Sequence, residues 1–232
     1  MASTPARATI GSTWGLGDVA IAFAAWFAAS VLVAAIDSAL PATATGRGIS
    51  VVLGIALPWV PLIGWPWWAA RSRGAGPGAD LGWQVKRSDI PIGLLGGFVS
   101  LGLGAAVGAL TTRLFGGFNS AAGTLAQTLH GQRFWLVLFA ALVAFGAPLV
   151  EECAFRGLLF AALLKRGLSP RVTVVLVALA FSCSHFEPIR IPLLFAVGLV
   201  LGYLRERTGR VGASVIAHSV NNALGAWSLL WL

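Results

Sequence analysis

Apolar residues fall in seven runs, at approximately 18–40, 49–70, 90–115, 134–164, 172–187, 189–204 and 211–231. A helix crosses the hydrocarbon of a bilayer with ~20 apolar residues. The runs therefore predict an all-α, polytopic membrane helical bundle of about seven helices, within a range of six to eight. The fourth run is too long for one simple span. Pro148 lies inside it, and a proline removes a ladder hydrogen bond, so a kink or a break into two helices is expected. The fifth and sixth runs are short enough to be tilted, partial or re-entrant.

The pattern divides the chain into a tail over 1–16, N-terminal helices over 17–115, and a membrane domain over 130–232. The small, polar, Gly-rich tail is expected to be disordered or to lie on the surface. Ala42-Thr43-Ala44 resembles a signal-peptide cleavage site. The run before it is longer than the apolar region of such peptides and carries Trp26 and Asp37, so it reads as a retained helix. Residues 71–89 read as a linker between a front half and a back half. Trp59, Trp65, Trp67 and Trp68 suit an aromatic belt at the membrane interface.

Composition sharpens this picture. Apolar residues make up 57% of the 232 and charged residues 10%. Soluble domains run at about 45–50% and about 25%. Mean hydropathy is +0.84. These values exclude disorder, a disulfide scaffold and a soluble nucleic-acid-binding domain. The net charge of +8 then reports loop charges that orient helices, with no nucleic-acid partner implied. With seven spans, Arg7, Arg71, Arg73, Lys86, Arg87, Lys165, Arg166, Arg171, Arg205, Arg207 and Arg210 share one side of the bilayer. Arg47, Arg113, Arg133 and Arg190 share the other, and Arg156 is inside a helix. The positive-inside rule places the N-terminus in the cytoplasm and the C-terminus outside. The Ala/Gly/Arg-heavy composition points to a bacterial cytoplasmic membrane. Cys153 and Cys183 show no pairing or metal pattern and read as small buried hydrophobes.

An ionisable group near the bilayer centre costs at least ~2.5–3.5 kcal/mol, which makes each a functional candidate. The candidates are Asp18, Asp37, Glu151, Glu152, Arg156, His185, Glu187 and His218, with the amides of Asn221 and Asn222. Asp18 and Asp37 sit near the ends of the first helix. Gly15-Leu16-Gly17-Asp18 echoes the motif of intramembrane aspartyl proteases but lacks a second aspartate partner. The remaining candidates all lie in the back half. Glu187 reads as interfacial and Asn221 as a packing or interhelical amide. Glu151 and Glu152 point about 100° apart on a helix. Glu152 and Arg156 are four apart and pair on one face, which frees Glu151 for acid–base work. Phe181 with His185, and His218 with Asn222, share helix faces by the same spacing. A carboxylate and two imidazoles can hold a metal or deprotonate a water. A side-chain amide can donate to an oxyanion.

Glu151-Glu152-x-x-x-Arg156, Phe181-x-x-x-His185 and His218-x-x-x-Asn222, in that order, resemble the CPBP family. This family comprises the CAAX-prenyl-protease and bacteriocin-processing membrane proteins, also called Abi proteins. Ala147-Pro148-Leu149-Val150 before the first motif and Thr208-Gly209-Arg210 before the third match the usual surroundings. The resemblance spans 147–222. It implies a helical intramembrane endopeptidase with its catalytic core in the last four helices. It also implies Glu151, His185, His218 and Asn222 as catalytic residues, with Glu152, Arg156 and Phe181 in support. Glu151 would activate the water and Asn222 would stabilise the oxyanion. In a zinc version, Glu151, His185 and His218 would be ligands and Glu152 the nearby base. In a metal-free version, Glu151 is the base and the histidines orient the water or bind the oxyanion.

The partners implied are the lipid bilayer and a peptide or membrane-protein substrate. In a bacterium, small exported peptides, bacteriocin-like precursors or membrane-protein segments fit better than prenylated proteins. The same scaffold without catalysis, as an immunity protein, is the main alternative. A transporter with a Glu151–His185 proton relay is weaker, since the polar residues lie in one half. One expectation runs against convergence. Counted from the loop boundaries, His218 lies about 9 Å shallower than Glu151 and His185.

Overall fold

A computed structural model of the protein describes residues 12–38, 43–117 and 119–231. The expectations placed on residues 1–11, with Arg7, and on Ala42 lie outside them. Every regular element described is helical. In chain order these are α1 (Leu16–Asp37), α2 (Ala44–Arg73), α3 (Pro77–Asp80), α4 (Asp89–Phe115), α5 (Ala121–Thr128), α6 (Arg133–Ala141), α7 (Ala147–Glu152), α8 (Phe160–Lys165), α9 (Pro170–Cys183), α10 (Ile191–Thr208) and α11 (Gly212–Leu229). Among the described residues, five stretches are long and apolar enough to span a bilayer: Leu16–Asp37, Ala44–Arg73, Asp89–Phe115, Arg133–Lys165 and Pro188–Thr208. The shorter α9 and α11 fill the other two apolar runs. The protein is an integral, multi-pass membrane protein.

Local chemistry sets the helix ends. Ser169 and Ser120 accept the N–H groups of Val172 and Gly123 and cap α9 and α5. Pro170 opens α9, where its missing N–H costs nothing. Gly209 ends α10 in the left-handed conformation, φ 69°. The fourth run is one helical rod whose ladder changes pitch. Its α-helical pieces α6, α7 and α8 are separated by π-helical turns at Leu142–Gly146 and Cys153–Leu159. The rod does not break into two helices at Pro148, which lies in the first turn of α7; the ladder changes pitch around it instead.

Small residues let the rods approach, as in lipid-embedded bundles generally. A Cβ added at Gly97 would lie 2.5 Å from the Val220 side chain, and one at Gly93 2.6 Å from Ile216. α4 is thus pressed along α11. Gly198 of α10 sits close over Ala178 of α9, where an added Cβ would meet it at 3.1 Å.

One end of the bundle gathers the basic residues. Arg73 pairs with Asp18, whose other oxygen caps the Gly15 N–H. Arg210 pairs with Asp89 at 2.5 Å. Lys165 binds Ser12 and the Trp14 carbonyl, with its ammonium over the Trp14 ring. Trp14 is therefore buried, unlike the surface tail expected there. Residues 74–88 are not a loose spacer either. Leu81 is fully buried, and Gly82 accepts a hydrogen bond from the N–H of Val211. The two halves are packed together, through this segment and through α4.

Two further expectations need correction, and one helix is additional to them. Cys153 is buried, but Cys183 is exposed, because it falls in the last turn of α9. Trp59 belongs to an internal cluster with Leu62, Val150 and Phe155 rather than to an interfacial belt. The short helix α5 was not anticipated. It packs Ala126 and Leu129 against Leu136 and Phe139.

Candidate active site

The three motifs converge. α7 carries Glu151 and Glu152, α9 leads to His185, and α11 carries His218 and Asn222. Glu152 and Arg156 form the expected pair, Oε1 to Nη1 at 2.8 Å, with both side chains 0% exposed. A lone buried charge would cost several kcal/mol, and a bonded partner offsets it. Arg156 Nη2 also donates to the Gly198 carbonyl at 3.1 Å, and its guanidinium lies 4.6 Å from the centre of the Phe181 ring.

Glu152 has a second role that the motif spacing does not reveal. Its Oε1 also lies 2.9 Å from Nδ1 of His218. That carboxylate accepts, so Nδ1 carries the proton and Nε2 keeps its lone pair. Nε2 faces Glu151 Oε2 at 3.7 Å. His185 is held alike. Its Nδ1 lies 2.8 Å from the Phe181 carbonyl, which only accepts, so its Nε2 is also left as an acceptor. The Phe181 ring packs edge-on between the imidazoles, with centroids 4.8 Å from His185 and 5.6 Å from His218. Glu151 differs from Glu152 in being 21% exposed. It faces a cavity of about 580 Å³, together with His185, His218, Asn221 and Asn222.

The expected offset in depth is absent. α9 is short, and the π turns bracket α7, with wider i→i−5 bonds that place more residues in each turn. Each π turn also leaves one carbonyl outside the ladder. The Ala147 N–H goes to Leu142 O, and Pro148, next in line, has no N–H to offer. Val143 O is thus an orphan acceptor, and Asn222 Nδ2 donates to it at 3.1 Å. Asn221 Nδ2 donates to Asn222 Oδ1 at 3.3 Å, which fixes the orientation of the amide. Likewise the Phe160 N–H reaches Phe155 O and Gly157 O and passes over Arg156 O. Arg205 Nε donates to that carbonyl at 2.8 Å. The charge pattern places Arg205 with the loop charges, whereas the fold buries it. The signal for both locks was present in Pro148 and the adjacent carboxylates, yet a π turn has no simple sequence period.

Several cavity residues lay outside the motifs. Asn119, Ser120, Gln127 and Arg190 line the cavity beside Glu187. Glu187 pairs with Arg190 at 2.5 Å and accepts the Ala121 N–H at 2.7 Å, so it anchors α5. A hollow of similar size at Trp67, Trp68 and Arg71 holds no acid or histidine.

A metal fits these donors poorly. Among the described residues, no three His, Cys, Asp or Glu side chains come together as a group able to hold an ion.

The family model of the Rce1-like type II CAAX prenyl endopeptidases matches residues 133–224. No curated protein and no solved structure matches the chain. The matched region holds α6 to α10 and most of α11, with all three motifs. Over this region, which is less than half of the chain, the protein is similar to the CAAX prenyl endopeptidases, a family of membrane-embedded peptide hydrolases.

Proposed function

We propose that the protein is an intramembrane endopeptidase that cleaves membrane-associated or exported peptides, with Glu151 as the base that activates water. The observation carrying this reading is the relay Arg156–Glu152–His218–Glu151 at the cavity wall. Arg156 balances Glu152, Glu152 orients His218, and Glu151 is the carboxylate left facing the cavity.

A water at Glu151 donates one hydrogen to the carboxylate and the other to an imidazole Nε2 lone pair. Its oxygen lone pair attacks the substrate carbonyl as Glu151 accepts the proton. The carbonyl electrons move onto oxygen, where the second N–H of Asn222 donates to the oxyanion. Collapse breaks the C–N bond, and Glu151 returns the proton to the leaving amine. The metal-dependent route would need Glu152 as base. Glu152 is fully buried and bonded on one oxygen to both Arg156 and His218, which favours the route through Glu151. The asymmetry of loop charge supports an N-terminus in the cytoplasm.

The test is cleavage of fluorogenic membrane-proximal peptides by purified protein in detergent. Glu151→Ala and His218→Ala should each lower kcat by about 10²–10⁴-fold, and a chelator should leave the rate unchanged. Cleavage that survives Glu151→Ala would sink the reading. Loss to the chelator with recovery on added zinc would replace the proposed base with a metal-bound water.

A further inference from the structure

A second cavity, of about 130 Å³, is also lined by Glu151 and His185. Phe23 and Trp26 of α1, Trp59 and Leu62 of α2, and Phe155 line it. Glu151, His185 and Trp59 also line the large cavity. A group seated in the small cavity therefore touches the same carboxylate and imidazole as a peptide lying in the large one.

Its walls are apolar apart from Glu151, His185 and Ser184. The Ser184 hydroxyl donates to the Phe181 carbonyl at 2.8 Å, so the lining offers an incoming polar group little else. The size is informative. An apolar protein cavity of ~150 Å³ admits a molecule the size of benzene. This cavity holds one aliphatic side chain and is far too small for an isoprenoid chain.

The lining also packs against the loop that carries His185. Phe186, directly after His185, is the one non-glycine residue among those described with positive φ, at 55°. That backbone is costly for a bulky residue, and Phe186 is 71% exposed. The Phe186 ring stacks on Trp26, with centroids 6.3 Å apart and planes 16° from parallel. Phe23 packs edge-on against Phe155 at 5.1 Å. α1 is thereby tied to the loop that presents His185.

We infer that this cavity is a specificity subsite, built by α1 and α2, for one small or medium apolar side chain on the substrate residue flanking the scissile bond. The inference rests on the proteolytic reading and gives the front helices a task in it. Trp26 is the α1 wall residue whose size the substitutions Trp26→Ala and Trp26→Phe change.

The test is a set of internally quenched peptides with Ala, Val, Leu, Phe or Trp at each residue flanking the cleaved bond. kcat/KM is measured for wild type, Trp26→Ala and Trp26→Phe. A parallel arm measures binding of the same peptides to Glu151→Gln protein, with and without Trp26→Ala. Wild type should favour Val or Leu over Trp at one of these positions. Trp26→Ala should shift that ratio toward the large side chains by about tenfold or more, and Trp26→Phe should largely restore it. The binding arm should show the same shift. An unchanged size profile in Trp26→Ala, by rate or by binding, overturns the inference. A shift in binding without cleavage by any wild-type sample would keep the subsite and overturn the proteolytic reading. Peptides neither cleaved nor bound with a size preference would overturn both.

Discussion

Glu152 is the residue on which the site turns. One oxygen serves Arg156 and His218 together, so charge balance and imidazole orientation depend on the same atom. Arg156→Met would leave the Glu152 charge buried without its partner. Such changes cost about 3–5 kcal/mol, and unfolding in detergent should show a loss of that order. Adding Glu152→Leu should return most of the stability but not the activity, because His218 loses the acceptor at Nδ1. An Arg156→Met protein as stable as wild type would contradict the pairing. Asn222 carries a similar double load in the proposed mechanism, with one N–H on Val143 O and the other assigned to the oxyanion. Asn222→Ala should lower kcat by about 10²–10³-fold and cost about 1 kcal/mol of stability. Pro148→Ala restores an N–H opposite Val143 O. In that background the stability cost of Asn222→Ala should shrink, which a double-mutant cycle would read as coupling. Independent, additive costs would remove Pro148 from the account.

Among the elements, the rod from α6 to α8 is the unusual one. Two π turns bracket the six residues of α7, and the orphan carbonyls they create are met from α11 and α10. The neighbouring helices are therefore pinned to the rod at the level of the acid pair. The other determinant is the glycine seam of α4. Gly97→Val should drive side-chain atoms into Val220 and push α11, with His218 and Asn222, away from Glu151. Gly102, on the same helix, has nothing within 4 Å of its added Cβ, so Gly102→Val is the matched control. Overpacking of this kind costs typically ~1–3 kcal/mol. Gly97→Val should lower both melting temperature and cleavage, while Gly102→Val leaves both near wild type. Equal behaviour of the two variants would count against the seam.

Across the whole molecule, charge is sorted by end. Asp18–Arg73, Asp89–Arg210 and the Lys165 contacts with Ser12 and Trp14 clasp one end. Glu187–Arg190 and the bond from Arg133 to the Leu230 carbonyl lie at the other. The richer basic end should face the cytoplasm. Reporter fusions should therefore find the N-terminus inside and the C-terminus outside, and the reverse result would refute this orientation. The front helices are part of the working body. α1 and α2 wall the small cavity beside Glu151 and His185, and residues 81 and 82 reach Arg205 and Val211.

The division between what could be read from residues and what needed the fold follows sequence distance. Long apolar runs must cross lipid as helices, because no other open structure satisfies the backbone there. The helical class and the positions of the spans were therefore legible. So was the Glu152–Arg156 pair, since residues four apart meet on any helix. The motifs themselves marked the family. The bond from Glu152 to His218 spans 66 positions, and nothing local selects which carboxylate His218 will face. The π turns, the Asn222 lock on Val143 and the burial of Trp14 and Arg205 are likewise products of packing. Depth counted along separate straight helices misplaced His218 because helical pitch and tilt are set where the rods touch. That contact is made by glycines whose only signal is the absence of a side chain.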